Sequence, residues 1–270
     1  MACTLHYLGD FETSGQYAIR GVQLSRLLGE RSTFVGVDNA AVSVLCYKAL
    51  FDAHIGEIAS SRVTMSEALS LAEEMKDMYG LAMTLGFAAS LEIAECSLAK
   101  VERYSSAMIE LSTRHHFAHF LAVGSIFRGW VCSASGDATE GILLIERGIR
   151  GFRATGSVLG LPYYLALHAE ALHLGGRTSE ALEAIDEAET LAERFEQRNS
   201  LSRLHRLRGV FLASIGADEA QIEASFCEAI RIAREQKSIS LEKRAEATYA
   251  ECRRQKTTAS GGHGFRLPIC

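Results

Sequence analysis

His115, His116 and His119 sit within one short stretch, and this is the most site-like cluster in the sequence. Two imidazoles four residues apart share a face if they lie on one helix, and can then chelate a divalent cation. A closed metal site needs four ligands, and no carboxylate or cysteine nearby completes the set. The plainer expectation is solvated imidazoles at a helix entry. Gly175-Gly176-Arg177-Thr178-Ser179 comes nearest to a phosphate-binding loop. That loop requires GxxxxGK[ST], so that backbone N–H groups and a lysine surround the phosphates. Here both the lysine and the spacing are missing, and the segment reads as a turn. No Ser/His/Asp or Cys/His arrangement rises above background. The sequence therefore predicts no enzyme: no catalytic residue, no cofactor site and no metal site.

Arg203, His205, Arg206 and Arg208 form a local basic patch that can meet an acidic peptide or a phosphate. The ordinary expectation for such a patch is a solvated helix surface. The whole chain carries a net charge of −5, the opposite of the basic field that nucleic-acid binding needs. No run approaches the roughly 18 apolar residues of a membrane span, and the first residues lack the basic flank and apolar block of a signal peptide. The seven cysteines are odd in number, scattered, and form no CxxC pair. They read as reduced thiols in a cytoplasmic protein, used as small buried apolar residues.

The elements that must carry these residues are helical. Only two prolines occur in 270 residues, and 48% of the chain is apolar. Ala, Leu, Glu and Arg, all good helix formers, fill the segments between turns. In Glu180–Ala188 apolar residues recur at three and four, the spacing of an amphipathic helix. Thr178 and Ser179 stand where a helix N-cap is wanted, and Pro162 stands near a helix start, where its missing N–H costs nothing. No segment shows sustained alternation, so no sheet is expected.

These helices repeat. The turns at Gly56, Gly136, Gly176 and Gly216 are spaced by 80, 40 and 40 residues. Cys96 fills the missing place, and Gly9 is an earlier member with seven extra residues expected in Gly29–Thr33 or just after it. Seven residues before each turn stand Ala2, Ala49, Ala89, Gly129, Ala169 and Gly209, all small. Small residues follow each turn as well: Ser14, Ser61, Gly141 and Ala181, then Gly21, Ala68, Gly148 and Ala188. Two closely crossing helices need small residues where their backbones approach. The unit at Cys96 departs, with Val101 and Met108 at these places. At the sixth turn Ile222, Phe226 and Ala229 fit only if one residue is inserted after Gly216; the slip then puts Ala250 at the small position of a last, unpaired helix. The fold class is all-α: an α-solenoid, a right-handed superhelix of antiparallel helix pairs with a repeat of about 40 residues. Residues 1–255 form the array, with a truncated first repeat, and 256–270, rich in Gly, Ser and Thr, form a disordered tail.

The register also assigns a concave face. Steps of three and four along the first helix of each pair give Val123, Ile126, Trp130 and Ser133, then Tyr163, Ala166, Glu170 and His173, then Arg203, Arg206, Val210 and Ala213. Aromatics and arginine are favoured at binding hot spots. Trp130, Tyr163, Glu170, His173, Arg203 and Arg206 are therefore the candidate groove residues, set against a plainer expectation of core tryptophan and solvated arginine.

The pattern Gly129…Gly136-x-Ala138-xx-Gly141-xxx-Ile145-xx-Gly148, repeated as Ala169…Gly176-x-Thr178-xx-Ala181-xxx-Ile185-xx-Ala188, resembles the tetratricopeptide repeat (TPR), lengthened from the usual ~34 residues. The runs Arg153–Ser157, Leu161–Leu167, Leu204–Gly209 and Glu223–Ala233 resemble, more specifically, the C-terminal helical-repeat region of large bacterial regulators. Those are predicted ATPases with a class III adenylate/guanylate cyclase domain or a DNA-binding winged helix at the N-terminus. The resemblance implies a non-catalytic sensor or docking arm whose partner, in the concave groove, is a protein or peptide, including the upstream NTPase and cyclase domains of a parent protein. Nucleic acid and membrane are not expected partners. Ala2 already occupies a mid-helix position, so the chain is expected to be a fragment or shortened frame of a longer regulator. The competing reading is a small-effector sensor domain of a transcriptional regulator, which needs a closed, largely apolar pocket with a few convergent polar groups.

Overall fold

The structure, a computed structural model, describes residues 1–28 and 37–258. Among these the chain forms thirteen α-helices, one 3-10 turn and no strand. The helices are α1 (Ala2–Tyr7), α2 (Phe11–Leu28), α3 (Val37–His54), α4 (Ile58–Glu74), α5 (Met78–Ala94), α6 (Leu98–His115), α7 (Ala118–Ala134), α8 (Ala138–Ala154), α9 (Leu161–Leu174), α10 (Thr178–Arg194), α11 (Leu201–Ser214), α12 (Glu219–Glu235) and α13 (Ile239–Thr258). The 3-10 turn, Arg198–Ser200, leads into α11. The fold is an all-α, TPR-like solenoid of antiparallel pairs, α1/α2 through α11/α12, ending on α13.

The turn within each pair needs a left-handed residue. Gly9, Gly56, Gly136, Gly176 and Gly216 have φ between +70° and +109°, and Cys96 takes the same region at +55°. The turns between pairs obey a second register that a search for glycine does not reveal. Lys76, His116, Gly156, Glu196 and Lys237 are left-handed there, at spacings of 40, 40, 40 and 41. The inserted residue is visible directly: α10 begins two residues after Gly176, and α12 begins three residues after Gly216. Residues 29–36, where most of the seven extra residues were expected, lie outside the described residues.

The small positions are where helices meet. Ala49, Ala89 and Ala169 are fully buried. A Cβ on Gly129 would lie 2.6 Å from the carbonyl oxygen of Gly141, and one on Gly141 would lie 2.5 Å from that of Gly129. Packing at this distance leaves room for no side chain on either glycine. Ser14 donates from Oγ to the Ala2 carbonyl at 2.8 Å, the same crossing made by a hydrogen bond. Val101 and Met108, both fully buried, fill the corresponding space between α5 and α6 with side chain. Ala250 is exposed, since among the described residues no helix packs on it after α13.

Two local expectations change. Thr178 is the first helical residue of α10, not its cap; its Oγ1 pairs with His173 Nδ1 at 3.0 Å. α13 continues to Thr258, three residues into the expected tail. Lys256 reaches Glu219 at 3.6 Å, and Gln255 donates to Glu251 at 2.8 Å, which ties this turn down. Residues 259–270 lie outside the described residues.

The stack curves until its ends touch. His54 Nδ1 lies 2.8 Å from Ser238 Oγ, 184 residues away. Lys237 pairs with Glu12 at 2.5 Å, and Arg244 donates to the Ala94 carbonyl. Gly9 packs so closely on Gln236 that a Cβ there would lie 2.5 Å from its Nε2. This seam makes the concave face the wall of a chamber.

Candidate functional site

The chamber has a volume of about 460 Å³. All seven first helices or the turns leading into them contribute. His6 and Tyr7 come from α1, Tyr47 and His54 from α3, and Tyr79, Met83 and Phe87 from α5. The first turns of α7 bring His119, Phe120 and Val123; those of α9 bring Tyr163 and Tyr164; those of α11 and α13 bring Arg203 and Leu241. Pro162 in the first turn of α9 fixes where that helix starts. Gln197 holds the preceding loop, accepting from Gly160 N at 2.7 Å and donating to the Val158 carbonyl at 3.0 Å.

The walls are aromatic. Tyr47 meets Phe87 edge-on at 5.3 Å, Phe127 meets Tyr164 at 6.0 Å, and His54 stacks on Phe11 at 3.6 Å. Tyr79 and Leu159 are about half exposed, at 49% and 47%, and form the rim; Tyr47, Phe120, Val123 and Phe127 are buried. Burial lowers the pKa of His6 to about 4 and that of His54 well below the ordinary histidine value. Burial also raises the Tyr7, Tyr47 and Tyr164 hydroxyls above the ordinary tyrosine value. At neutral pH these groups are uncharged. Arg203 is then the one lysine, arginine, aspartate or glutamate among the described lining residues.

The six candidate groove residues divide. Tyr163 and Arg203 line the chamber, with the guanidinium 5.1 Å from the Tyr163 ring centre. Trp130, Glu170 and Arg206 lie in the wall, each 3% exposed or less. Trp130 Nε1 donates to Glu170 Oε2 at 2.6 Å, and Glu170 Oε1 faces Arg203 at 3.7 Å and Arg206 at 4.0 Å. These side chains tie α7, α9 and α11 together. His173 sits at the far end of α9, tilted against Phe211 at 4.8 Å. From Trp130 on in α7 and Glu170 on in α9 the helices are thus buried between their neighbours, and the preceding turns reach the chamber.

Other sequence candidates also resolve. His115 ends α6 and His119 lies in the first turn of α7, so they do not share a helix face. His119 turns inward, with Nδ1 3.1 Å from Ser157 Oγ. Among the described residues no group of three or more His, Cys, Asp or Glu could hold a metal ion. The basic patch on α11 is not a single surface: Arg208 pairs with Asp186 at 2.6 Å and Glu189 at 2.7 Å, while Arg206 is buried. Gly175–Ser179 is a repeat turn in which Arg177 pairs with Glu180. No disulfide joins the six described cysteines; Cys46 and Cys252 are buried, and Cys227 is exposed.

Most of the lining escaped the sequence reading, yet it follows the register. Tyr79, His119, Leu159 and Asn199 are spaced by 40, and all line the chamber; so do Met83, Val123, Tyr163 and Arg203. Adding the one-residue slip to Asn199 and Ser200 gives Ser240 and Leu241, also in the lining. Steps along single helices reached Val123, Tyr163 and Arg203; columns read across every repeat would have added the others.

No protein-family model matches the chain. It is 25% identical over 222 residues to an uncharacterised protein, R02095, of Rhizobium meliloti (strain 1021). The match covers 82% of this chain and 22% of the relative, so the chain spans about a fifth of that protein's length. Solved structures with the same fold include the apo form of RapI (TM-score 0.57, 12% identity, 94% of this chain and 99% of that one). BtubC (BKLC) from P. vanneervenii gives 0.54 at 14% identity, covering 96% and 95%. Bacillus thuringiensis PlcR, in complex with the peptide PapR7 and DNA, gives 0.52 at 14%, covering 85% and 77%. At these identities the likenesses establish the fold. Among the described residues no helix is long and apolar enough to cross a membrane.

Proposed function

We propose that this chain is a non-catalytic interaction and regulatory module, the C-terminal arm of a larger cytoplasmic regulator of the ATPase–cyclase type. The observation that carries the reading is the inner surface itself: seven helices from successive repeats each contribute residues to one chamber. A surface assembled from many repeats is suited to reading a partner rather than to a single bond-making step. The partner is a protein or peptide segment, including the NTPase and cyclase domains of a parent protein. PlcR, with which this chain shares its fold, was solved with a peptide bound. The span of a fifth of the Rhizobium relative is in keeping with an arm of something longer. Two measurements test this. The purified chain should neither hydrolyse ATP nor form cyclic nucleotide with Mg²⁺ present; turnover of either kind overturns the non-catalytic reading. DNA upstream of Met1 should encode ATPase- or cyclase-like sequence, and its absence in every frame removes the arm.

One observation favours a second reading, that of a small-effector sensor. The chamber is bounded on one side by the seam and lined by many aromatic side chains, with one charged residue among them. Its size lies within the ~300–1,000 Å³ range of small-molecule sites. A ligand that binds only the folded state stabilises it by RT ln(1+[L]/Kd). A thermal-shift screen of metabolites and nucleotides should therefore find a stabilising class, and a flat response across a broad library removes this reading.

A further inference from the structure

We infer that the chamber binds a small, flat aromatic monoanion, a carboxylate in the simplest case, with its ring among the aromatic side chains of α3, α5 and α7 and its negative charge toward Arg203. The inference rests on the sensor reading and deepens it by giving the effector a chemistry.

Shape comes first. The buried lining offers ring faces and edges from Tyr47, Phe87, Phe120 and Phe127. Aromatic pairs at ring separations of roughly 4.5–7 Å gain about 0.5–1.5 kcal/mol beyond simple burial, which favours a flat ring over an alkyl chain of equal area. A volume of about 460 Å³ holds a molecule of one or two fused rings with a short side chain, and no long peptide.

Charge comes next. The chain is acidic overall, at −5, but the described lining contains no aspartate or glutamate. A cationic ligand would meet no counter-charge on the chamber surface. A dianion would bring two charges to one guanidinium, and burying a charge without a partner is costly. A monoanion matches the single cation. Arg203 is also held in place for this role. Its side chain is 11% exposed, with Glu170 at 3.7 Å behind it and the Tyr163 ring at 5.1 Å beside it. A guanidinium fixed in this way loses little freedom on binding a carboxylate.

Uncharged polar groups stand close to Arg203 in the chain. Asn199 and Ser200 precede Arg203 by one helical turn, and Ser240 comes from the start of α13. Tyr47 and Leu50 of α3 and Met83, Phe87 and Leu91 of α5 supply ring and aliphatic surface. A ligand with one charged end and one aromatic end is therefore oriented by its charge toward Arg203. Its occupancy touches both ends of the array, since His54 lines the chamber and also holds Ser238.

Three probes with one ring system and three charges test the inference: indole-3-acetate, indole-3-acetamide and tryptamine. They are titrated into the full-length chain by calorimetry. The acid should bind about tenfold or more tightly than the amide, as expected for a charge-assisted hydrogen bond, and the amine should bind most weakly. Arg203→Gln should bring acid and amide within about twofold of each other while leaving amide binding in place. Leu159→Trp, a change at the rim that does not touch the Arg203 network, should weaken all probes together. Equal affinity for acid and amide in the unaltered chain, or a preference that survives Arg203→Gln, overturns the anion assignment while the sensor reading stands. Equal or tighter binding of the pentapeptide Ala-Ala-Ala-Ala-Trp gives the chamber to a peptide end and overturns the small-molecule assignment. No binding of any probe at about 1 mM overturns the inference and counts against the sensor reading as well.

Discussion

Between α7 and α8 backbone lies against backbone, whereas at the seam that joins the two ends of the array polar side chains meet across the gap. In the first region Gly129 and Gly141 face each other's carbonyl oxygens, and a Cβ on Gly148 would lie 2.8 Å from the Ala122 carbonyl oxygen. In the second, His54 meets Ser238, the Gln236 amide packs on Gly9, and exposed Lys237 meets Glu12. The difference follows from chain distance. Neighbouring helices are brought together by a short turn, so a dense, side-chain-free crossing costs little entropy to assemble. The seam unites residues nearly two hundred positions apart and is made from groups that can exchange their partners for water. The middle of the array is thus built to stay shut, and the seam is the part of the chamber wall that can yield.

The largest expected effect breaks the first region. Gly141→Val places side-chain atoms against backbone on both sides, where nothing flexible can give way. We expect a loss of about 4 kcal/mol or more, or failure to fold, by urea denaturation. The equivalent position between α5 and α6 is Val101, fully buried, where the helices stand apart around side chain. There the reverse change, Val101→Gly, should cost about 3 kcal/mol, from a cavity plus glycine in a helix. If both changes cost less than about 1 kcal/mol, these two crossings do not differ as described.

Next is Glu170→Ala, inside the wall. It removes the carboxylate to which Trp130 Nε1 donates and which Arg203 and Arg206 both face. Breaking a buried charged network by deleting one member costs about 3 kcal/mol. The network also shows what the sequence could reveal. Glycine turns and the small residue seven positions before them gave the stack, because those residues are demanded by backbone geometry, which is local. Left-handed Lys76, His116 and Glu196 gave no such signal, since their side chains do not announce a positive φ. Trp130 and Glu170 were correctly placed on one side of their helices. Whether that side faces a groove or a neighbouring helix depends on superhelix curvature, which is a property of the whole array. The seam was illegible for the same reason: no local pattern in His6 or His54 records that Asn199 and Ser238 will come beside them.

The third prediction addresses the seam through pH. Burial holds the folded-state pKa of His6 at about 4, below its unfolded value of about 6.5. Between these values the unfolded chain binds the proton and the folded chain does not. The stability tied to neutral His6 is therefore complete above about pH 6.5 and falls as pH drops toward 4, by roughly 3 kcal/mol across the whole window. His54, shifted in the same direction and beside His6, adds to the slope. Comparison of the unaltered chain with His6→Phe by denaturation at a series of pH values should show a shallower fall in the variant. Parallel curves would mean that the seam does not depend on neutral His6.

The smallest effect sharpens the contrast within the seam. Lys237→Ala removes an ion pair whose side chains are 65% and 50% exposed. Exposed pairs gain little, because water screens the charges and ordering two long side chains costs entropy. The midpoint of thermal unfolding should shift by less than about 1 °C. Gln236→Ala, one residue earlier, should be clearly worse. Its amide is buried, donates to the Arg198 carbonyl and packs on Gly9. Removing it leaves that carbonyl without this donor and opens a gap beside a glycine whose φ of +84° suits few other residues. If the two variants unfold at the same temperature, closure does not depend on the Gln236 amide. The seam would then rest on its remaining cross-contacts, His54 with Ser238, His6 with Asn199 and Arg244 with the Ala94 carbonyl.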